Sequence, residues 1–155
     1  MSERIEILLV EDDPGDVHLA FAVFRALQME KHCAAVHDGE QAMEFLLASG
    51  GFAHRAPGLP ALVLLDLKMP RVGGFDVLQR MRANERLRMV PVVALSSSRE
   101  DRDVQRAYEL GANGYVVKGI DFDDYRETLK SVVRYWVSVN ESPPQAEVLH
   151  ADLLR

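Results

Sequence analysis

Five polar side chains, each close behind a short apolar run of the sequence, carry the chemistry of phosphoryl transfer: Glu11, Asp12, Asp66, Ser96 and Lys118. Carboxylates held close together raise one another's pKa, and a divalent cation between them relieves the repulsion. Hard oxygen ligands favour Mg²⁺ over zinc. With the metal bound, Asp66 can stay ionised and attack a phosphoryl group. Lys118 and the Ser96 hydroxyl would then offset the charge that develops on the phosphoryl oxygens.

Taken singly, each of these residues has an ordinary structural explanation. Asp12 alone would be a helix cap, and Asp66 alone would be a turn residue. Serines 96–98 would cap a helix, and Lys118 would be a solvated surface lysine. The chemical interpretation therefore depends on a fold that brings all of these side chains to one place.

The sequence alternates short aliphatic runs with segments of helical period. The predicted strands are residues 5–10, 33–36, 61–65, 92–95 and 114–117. Helical segments follow Asp13-Pro14, Asp38-Gly39 and Asp121, which have the residue types of helix N-caps. This alternation predicts an α/β fold with a parallel sheet covered by helices on both sides. Ligand chemistry in such sheets lies at the carboxyl ends of the strands, where the polar side chains fall.

Composition narrows the class of protein. The chain has 155 residues, of which 48% are apolar, and a net charge of -6. These values predict one compact domain and argue against nucleic acid or an anionic membrane as the main partner. Cys33 is the single cysteine, which excludes an intramolecular disulfide, and the histidines lack the paired spacing of a zinc site. Because neither a signal peptide nor an apolar run near the roughly 20 residues of a membrane span is seen, we expect a cytoplasmic protein.

Several motifs within residues 5–139 resemble the receiver domain of two-component signalling. They are Leu9-Val10-Glu11-Asp12-Asp13-Pro14, Leu64-Leu65-Asp66-Leu67-Lys68-Met69-Pro70, Gly73-Gly74-Phe75, Val93-Ala94-Leu95-Ser96 and Gly111-Ala112-Asn113-Gly114-Tyr115-Val116-Val117-Lys118. The resemblance implies a flavodoxin-like (βα)5 fold, a doubly wound parallel sheet with strand order 2-1-3-4-5. It also implies a signalling protein rather than an enzyme, with Mg²⁺-dependent self-phosphorylation and slow self-dephosphorylation.

The same resemblance assigns roles around the phosphoacceptor. Asp66 is the implied phosphoacceptor, and Lys118 is one of its catalytic partners. Asp12 and Asp66 are implied direct Mg²⁺ ligands, Glu11 is implied to act mainly through water, and the third protein ligand is implied to be the backbone carbonyl of Lys68. The side chain of Lys68 could also pair with the phosphoryl group and alter its lifetime, and an outward solvated lysine is the alternative that stays open.

Ser96 and Tyr115 match the switch pair of the family. The resemblance implies that the Ser96 hydroxyl reaches the phosphoryl group and that the Tyr115 ring then moves inward. One position departs from the family pattern: Gly119 follows Lys118, where the family usually has proline, often with a cis bond. A cis bond without proline costs about 3 kcal/mol, so we expect a more mobile loop at Lys118.

A narrower similarity concerns the loop 49–60 and the end of the chain. The long loop, Tyr135-Trp136 and Ser142-Pro143-Pro144 resemble the single-domain regulators paired with bacterial phytochrome histidine kinases. This similarity implies a sensor histidine kinase as a partner, phosphorylation-dependent protein contacts as output, and a homodimer built partly through the C-terminal helix region.

Two segments are expected along the chain, a receiver domain over 1–140 and a tail over 141–155. The tail carries apolar residues, namely Val148, Leu149, Leu153 and Leu154. A frayed end and a partner or dimer contact both stay open for it. No DNA-binding helix pair is recognisable after residue 140, so we expect the signal to leave through protein contacts.

Three other functions are alternatives to the receiver interpretation. An aspartate-nucleophile phosphatase usually needs a second aspartate two residues after the nucleophile, and Lys68 stands there. A flavin carrier would need a phosphate-binding loop after the first strand, and Glu11-Asp12-Asp13 stand there instead. The third alternative is a pseudo-receiver that keeps the fold and binds partners without phosphorylation, and only a phosphorylation experiment separates it.

Overall fold

The computed structural model describes residues 4–69 and 71–144, in which strands and helices alternate. The strands are β1 Ile7–Val10, β2 Cys33–Val36, β3 Leu62–Asp66, β4 Val92–Ser96 and β5 Gly114–Val117. The α-helices are α1 Pro14–Ala26, α2 Gly39–Leu46, α3 Gly74–Ala83, α4 Asp101–Glu109 and α5 Phe122–Arg134. Short 3₁₀ turns lie at Glu30–His32 and Gly50–Phe52, and a π-helical turn at Tyr135–Val139 extends α5. The predicted strands are thus confirmed, with small differences at their ends.

All strands are parallel, and their order is β2-β1-β3-β4-β5, which confirms the predicted topology. The aliphatic strand sequences follow from this arrangement, because helices cover both faces of the sheet. Along β1, Leu8 and Val10 belong to the core under α2, α3 and α4, whereas Ile7 and Leu9 belong to the core under α1 and α5. The sheet therefore separates two hydrophobic cores.

Aspartates cap α1, α2 and α5, the helices whose starts are predicted from the sequence. The Asp13 carboxylate accepts hydrogen bonds from the backbone N–H groups of Gly15 and Asp16 at 2.7 and 3.3 Å. Asp38 caps α2 and Asp121 caps α5 in the same way. The predicted N-caps are confirmed, and α1 consequently starts three residues after Glu11, beside the carboxyl end of β1.

A glycine is required where α3 meets β3. A Cβ atom at Gly74 would collide with the backbone carbonyl oxygen and carbon of Asp66 and the Cα of Leu67. The first residue of α3 therefore lies directly against the end of β3, which explains the place of Gly74 in the sequence.

Arg55 ties the long loop 49–60 to the end of α2. Its guanidinium donates hydrogen bonds to the carbonyls of Phe45 and Leu46, which the helix leaves without an internal partner, and to those of Ala56 and Gly58 within the loop. The guanidinium also lies 4.7 Å from the centre of the Phe45 ring. One side chain thus connects both parts of the loop to the end of α2.

Arg82 likewise binds loop carbonyls at the amino-terminal edge of β4 and β5. Its guanidinium donates to the carbonyls of Gly111, Arg88 and Val90 at 2.9, 3.0 and 2.9 Å, and to the side-chain oxygen of Asn113 at 3.0 Å. One side chain of α3 therefore joins the loops that precede two neighbouring strands.

Within the described ranges, no helix has the length and apolar character needed to span a bilayer.

We expect Arg82→Met to lower the free energy of unfolding by about 2–3 kcal/mol, because it leaves partly buried carbonyls without donors. Arg80→Met is the matched control on the same helix, since Arg80 makes one exposed ion pair with Glu40 at 3.4 Å, and its cost should stay below about 1 kcal/mol. Urea unfolding of both variants measures the difference. Equal losses would contradict the assigned role of Arg82.

Candidate functional site

The predicted site residues lie at the carboxyl-terminal edge of the sheet. Glu11 and Asp12 follow β1, Asp66 ends β3, Ser96 ends β4, and Lys118 follows β5. Since β1 and β3 are neighbours in the sheet, the acidic pair and Asp66 are brought side by side. The parallel topology therefore gathers residues that are up to 107 positions apart in sequence.

Three carboxylates form one cluster, in which ligand oxygens of Glu11, Asp12 and Asp66 all lie within 4.8 Å of one another. Glu11 and Asp66 are buried, with 1% and 5% of their surface exposed, and Asp12 is the more open of the three. The Oε2 atom of Glu11 is buried and has no hydrogen-bond partner. An unsatisfied buried carboxylate oxygen beside two other oxygen donors fits a hard divalent cation or its bound water.

The electrostatics of Glu11 agree with this fit. Burial, followed by the carboxylates of Asp66 and Asp16 close to it, raises the pKa of Glu11 to about 10, against the opposing effect of Lys118. The direction of the shift shows that negative charge on Glu11 is unfavourable in this cluster. A bound divalent cation would offset that charge.

Lys118 places its ammonium among the carboxylates. Its Nζ atom lies 2.9 Å from Oε1 of Glu11, 2.9 Å from Oδ2 of Asp16 and 3.7 Å from Oδ1 of Asp66. Only 16% of the side chain is exposed. Burial by itself would lower the pKa of Lys118, but the hydrogen bonds to Asp16 and Glu11 and the charge of Asp66 outweigh it and raise the pKa. The ammonium is thus held in its charged form beside Asp66.

Asp16 is the member of this site that the sequence reasoning missed. Burial would raise the pKa of Asp16, but the nearby Glu11 carboxyl group and the hydrogen bond from Lys118 prevail and lower it. An acidic residue in the first turn of a helix is common because it interacts favourably with the helix dipole. Its residue type therefore does not separate Asp16 from an ordinary first-turn residue. The available signal was its spacing, since a residue three positions after the N-cap Asp13 lies one turn into α1 and close to Glu11.

Ser96 and Tyr115 are linked through the backbone of Ser98. Oγ of Ser96, which is 1% exposed, accepts a hydrogen bond from the Ser98 N–H at 3.1 Å. The Tyr115 hydroxyl donates to the carbonyl oxygen of Ser98 at 3.0 Å, and its half-buried ring packs against the core under α4. The predicted switch pair therefore shares one connecting residue.

Lys68 and Gly119 lie in the loops after β3 and β5, at the solvent-facing side of the site, which we call its mouth. The backbone N–H of Lys68 donates to Oδ1 of Asp66 at 3.1 Å, and its side chain points into an exposed position. Over residues 4–69 and 71–144 all peptide bonds are trans, including the one between Lys118 and Gly119. Ile120, next along this loop, is fully exposed.

The arrangement can activate a carboxylate toward phosphorus. The Asp66 oxygens are accessible to little solvent, sit beside donors for a hard cation and face an ammonium at 3.7 Å. Positive groups placed in this way stabilise the charge of a transferring phosphoryl group.

Comparison with known proteins identifies the family. The model of the response regulator receiver domain matches residues 7–130. The probable methanogenesis regulatory protein FilR2 of Methanothrix harundinacea is 38% identical over 141 residues, which cover 90% of this chain and 88% of FilR2. Response regulator Rcp1 of Synechocystis is 32% identical over 137 residues, covering 88% of this chain and 92% of Rcp1.

Two solved structures share the fold over nearly their whole length. The phosphorylated cyanobacterial phytochrome response regulator RcpA superimposes with a TM-score of 0.84 at 30% identity, covering 92% of this chain and 100% of that structure. The Mn²⁺-bound form of Rcp1 superimposes with a TM-score of 0.82 at 31% identity and the same coverage. The chain therefore belongs to the response regulator receiver domains of two-component signalling, whose general function is to accept a phosphoryl group from a kinase.

Proposed function

We propose that Asp66 is the phosphoacceptor of this receiver domain and that a sensor histidine kinase is the donor. The observation that carries the proposal is the position of the Lys118 ammonium, 3.7 Å from Oδ1 of Asp66, next to a carboxylate cluster suited to a divalent cation. An Asp66 oxygen attacks the phosphorus, so that a P–O bond forms and the P–N bond of the donor phosphohistidine breaks. The electron pair of that bond leaves with the imidazole nitrogen.

The catalytic groups of the proposal are Lys118 and Ser96. Lys118 donates a hydrogen bond to one phosphoryl oxygen. The Ser96 hydroxyl can donate to another, because its present bond uses the oxygen as acceptor and leaves the O–H available. Both interactions are stronger when the phosphoryl oxygens carry more charge, and they therefore favour the transition state.

Mg²⁺ is the proposed cofactor, held by Glu11, Asp12, Asp66 and the backbone carbonyl of Lys68, with Glu11 acting mainly through water. The oxygen-only donor set favours this ion, and the relative Rcp1 has a Mn²⁺-bound form. When bound, the ion neutralises charge on the carboxylates and the transferring group. We expect self-phosphorylation from small phosphodonors to require it, and self-dephosphorylation to be slow.

The proposed output begins at the shared contact of Ser96 and Tyr115. When the Ser96 hydroxyl turns to the phosphoryl group, the segment that follows it moves with it. Tyr115 then loses its bond to the Ser98 carbonyl, and its half-buried ring can turn further inward against the core that it already contacts. A charge change at Asp66 is thereby converted into a change of surface shape on the α4 side of the molecule.

The proposed biological setting is that of its relatives. RcpA is named a phytochrome response regulator, which supports a bacterial phytochrome kinase as the partner of this chain. The acidic net charge of -6 favours protein contacts over nucleic acid or membrane as the output, and a cytoplasmic setting accords with a kinase partner. We also propose the division into a receiver domain over 1–140 and a tail over 141–155. Residues 145–155 of that tail lie outside the described residues.

A homodimer through the C-terminal helix region is part of the proposal. Tyr135 and Val139, on the turn that extends α5, expose 48% and 71% of their surface. The Tyr135 ring lies against the Trp136 ring, with their centres 5.1 Å apart. Exposed aromatic and aliphatic side chains next to one another are typical of a protein contact surface.

We expect wild-type protein incubated with acetyl phosphate and Mg²⁺ to gain the mass of one phosphoryl group, and Asp66→Asn to gain none, because the amide is not a nucleophile toward phosphorus. Asp76→Asn, an exposed aspartate on α3, is the matched control and should gain the group normally. Intact-protein mass spectrometry reads the result, with EDTA added in a parallel sample. No gain in the wild type would favour the pseudo-receiver instead.

We expect Lys68→Ala to shorten the lifetime of the phosphoryl group on Asp66 by about threefold, because an exposed ammonium near the mouth pairs with the phosphoryl oxygens and hinders water. Lys68→Arg keeps the charge and should retain most of the lifetime. The decay of the phosphorylated species after removal of the donor measures both. An unchanged rate in Lys68→Ala would leave the lysine as a solvated side chain.

We expect the double variant Tyr135→Asp/Val139→Asp to sediment as a monomer at concentrations where the wild type is a dimer, because burial of unpaired charge at the contact is costly. Ile120→Asp changes a fully exposed apolar residue before the start of α5, at the opposite end of that helix, and should leave the dimer intact. Analytical ultracentrifugation across a concentration series distinguishes them. A wild-type protein that stays monomeric throughout would refute the dimer.

A further inference from the structure

Asp16 is an anionic partner of Lys118 that the proposed reaction does not use. The Lys118 ammonium has three N–H donors. Two of its contacts, with Glu11 Oε1 and Asp16 Oδ2, have hydrogen-bond length at 2.9 Å. Asp66 Oδ1, at 3.7 Å, lies beyond that length, so one donor remains for the phosphoacceptor side.

The backbone fixes Lys118 only from the strand side, through a hydrogen bond of 2.7 Å from its N–H to the Ser96 carbonyl, and gives little restraint after Lys118. Gly119 follows it, and glycine has more conformational freedom than any other residue. Ile120 is fully exposed and packs against nothing that would hold the loop. The position of a long, flexible side chain at this point therefore depends on the groups that bind its ammonium.

Asp16 is suited to be such a group because its own position is fixed. It lies in the first turn of α1, which Asp13 caps and which packs on the sheet through the buried residues Leu19 and Ala20. Glu11 cannot serve alone, because its carboxylate belongs to the cluster that would bind the cation. Asp16 is the anionic partner of Lys118 that lies outside that cluster.

We propose that Asp16 is a positioning residue, which holds the Lys118 ammonium on the α1 side of Asp66 and leaves one N–H directed to the place where the phosphoryl oxygens form. The inference rests on the proposed function and adds a residue to it. Asp16 touches neither the donor nor the transferred group, and it acts only through Lys118.

Two replacements of Asp16 separate positioning from charge. Asp16→Ala removes both the acceptor and the charge, and we expect it to slow self-phosphorylation from acetyl phosphate with Mg²⁺ by about tenfold. Asp16→Asn keeps an oxygen acceptor for Lys118, and its loss should be smaller, about threefold, since a neutral acceptor binds an ammonium less strongly. Asp124→Ala, at the same position after the cap of α5 and exposed, controls for loss of a first-turn carboxylate.

The dependence on Lys118 is tested by a double-variant cycle. In a Lys118→Met background, Asp16→Ala should cause no further slowing. A second measurement does not need phosphorylation: acetic anhydride labelling of Lys118, read by mass spectrometry against Lys130 in α5, should rise several-fold in Asp16→Ala, because the amine is released. Thermal unfolding followed by circular dichroism checks that each variant is folded.

The outcomes distinguish the two proposals. A phosphorylated wild type with equal rates in Asp16→Ala and Asp124→Ala would overturn the positioning role alone. So would equal acceleration in Asp16→Ala and Asp16→Asn, which would show that Asp16 acts by repelling the anionic donor. No phosphorylation of the wild type would overturn the proposed function and, with it, the positioning role.

Discussion

The ammonium of Lys118 among the buried carboxylates is the interaction on which the site depends. Glu11 and Asp66 are almost fully buried, and carboxylates in that position cannot all be ionised without positive charge close by. Lys118 contributes a permanent charge 2.9 Å from Glu11 and 3.7 Å from Asp66. The remaining negative charge is what makes the cluster fit a divalent cation, which would offset it.

The parallel sheet allows the fold to tolerate this concentration of charge at one edge. Its strands are held by aliphatic side chains on both faces, so the carboxyl edge carries the polar groups without contributing much to the core. Gly74 brings α3 against the end of β3, and the cap of Asp13 starts α1 beside the end of β1. The two helices flank the acidic cluster and fix the backbone from which its members project.

Much of this could be predicted from sequence, for identifiable reasons. Strands such as Ile7–Val10 are continuous aliphatic runs in the sequence. The aspartates at positions 13, 38 and 121 indicate helix starts, because their side chains bind nearby backbone N–H groups. Both signals lie within a few residues of the chain. Glu11, Asp66 and Lys118 could be grouped because parallel strands place their ends together. Arg55 and Arg82 could not be recognised, since their partners are set by how the chain returns on itself, and each looks like an ordinary surface residue in the sequence. Asp16 could be placed near Glu11 by its spacing, but its bond to Lys118 depends on the same return of the chain.

The hydrogen bonds of Arg82 lie at the opposite edge of the sheet from Asp66, across the loops that lead into β4 and β5. The loops that leave the same strands carry Ser98, Gly119 and the exposed Ile120. The loops held by hydrogen bonds and the loop with the exposed Ile120 therefore lie at opposite ends of the same strands. In evolutionary terms, the exposed end can change its residues while the hydrogen bonds at the other end preserve the fold.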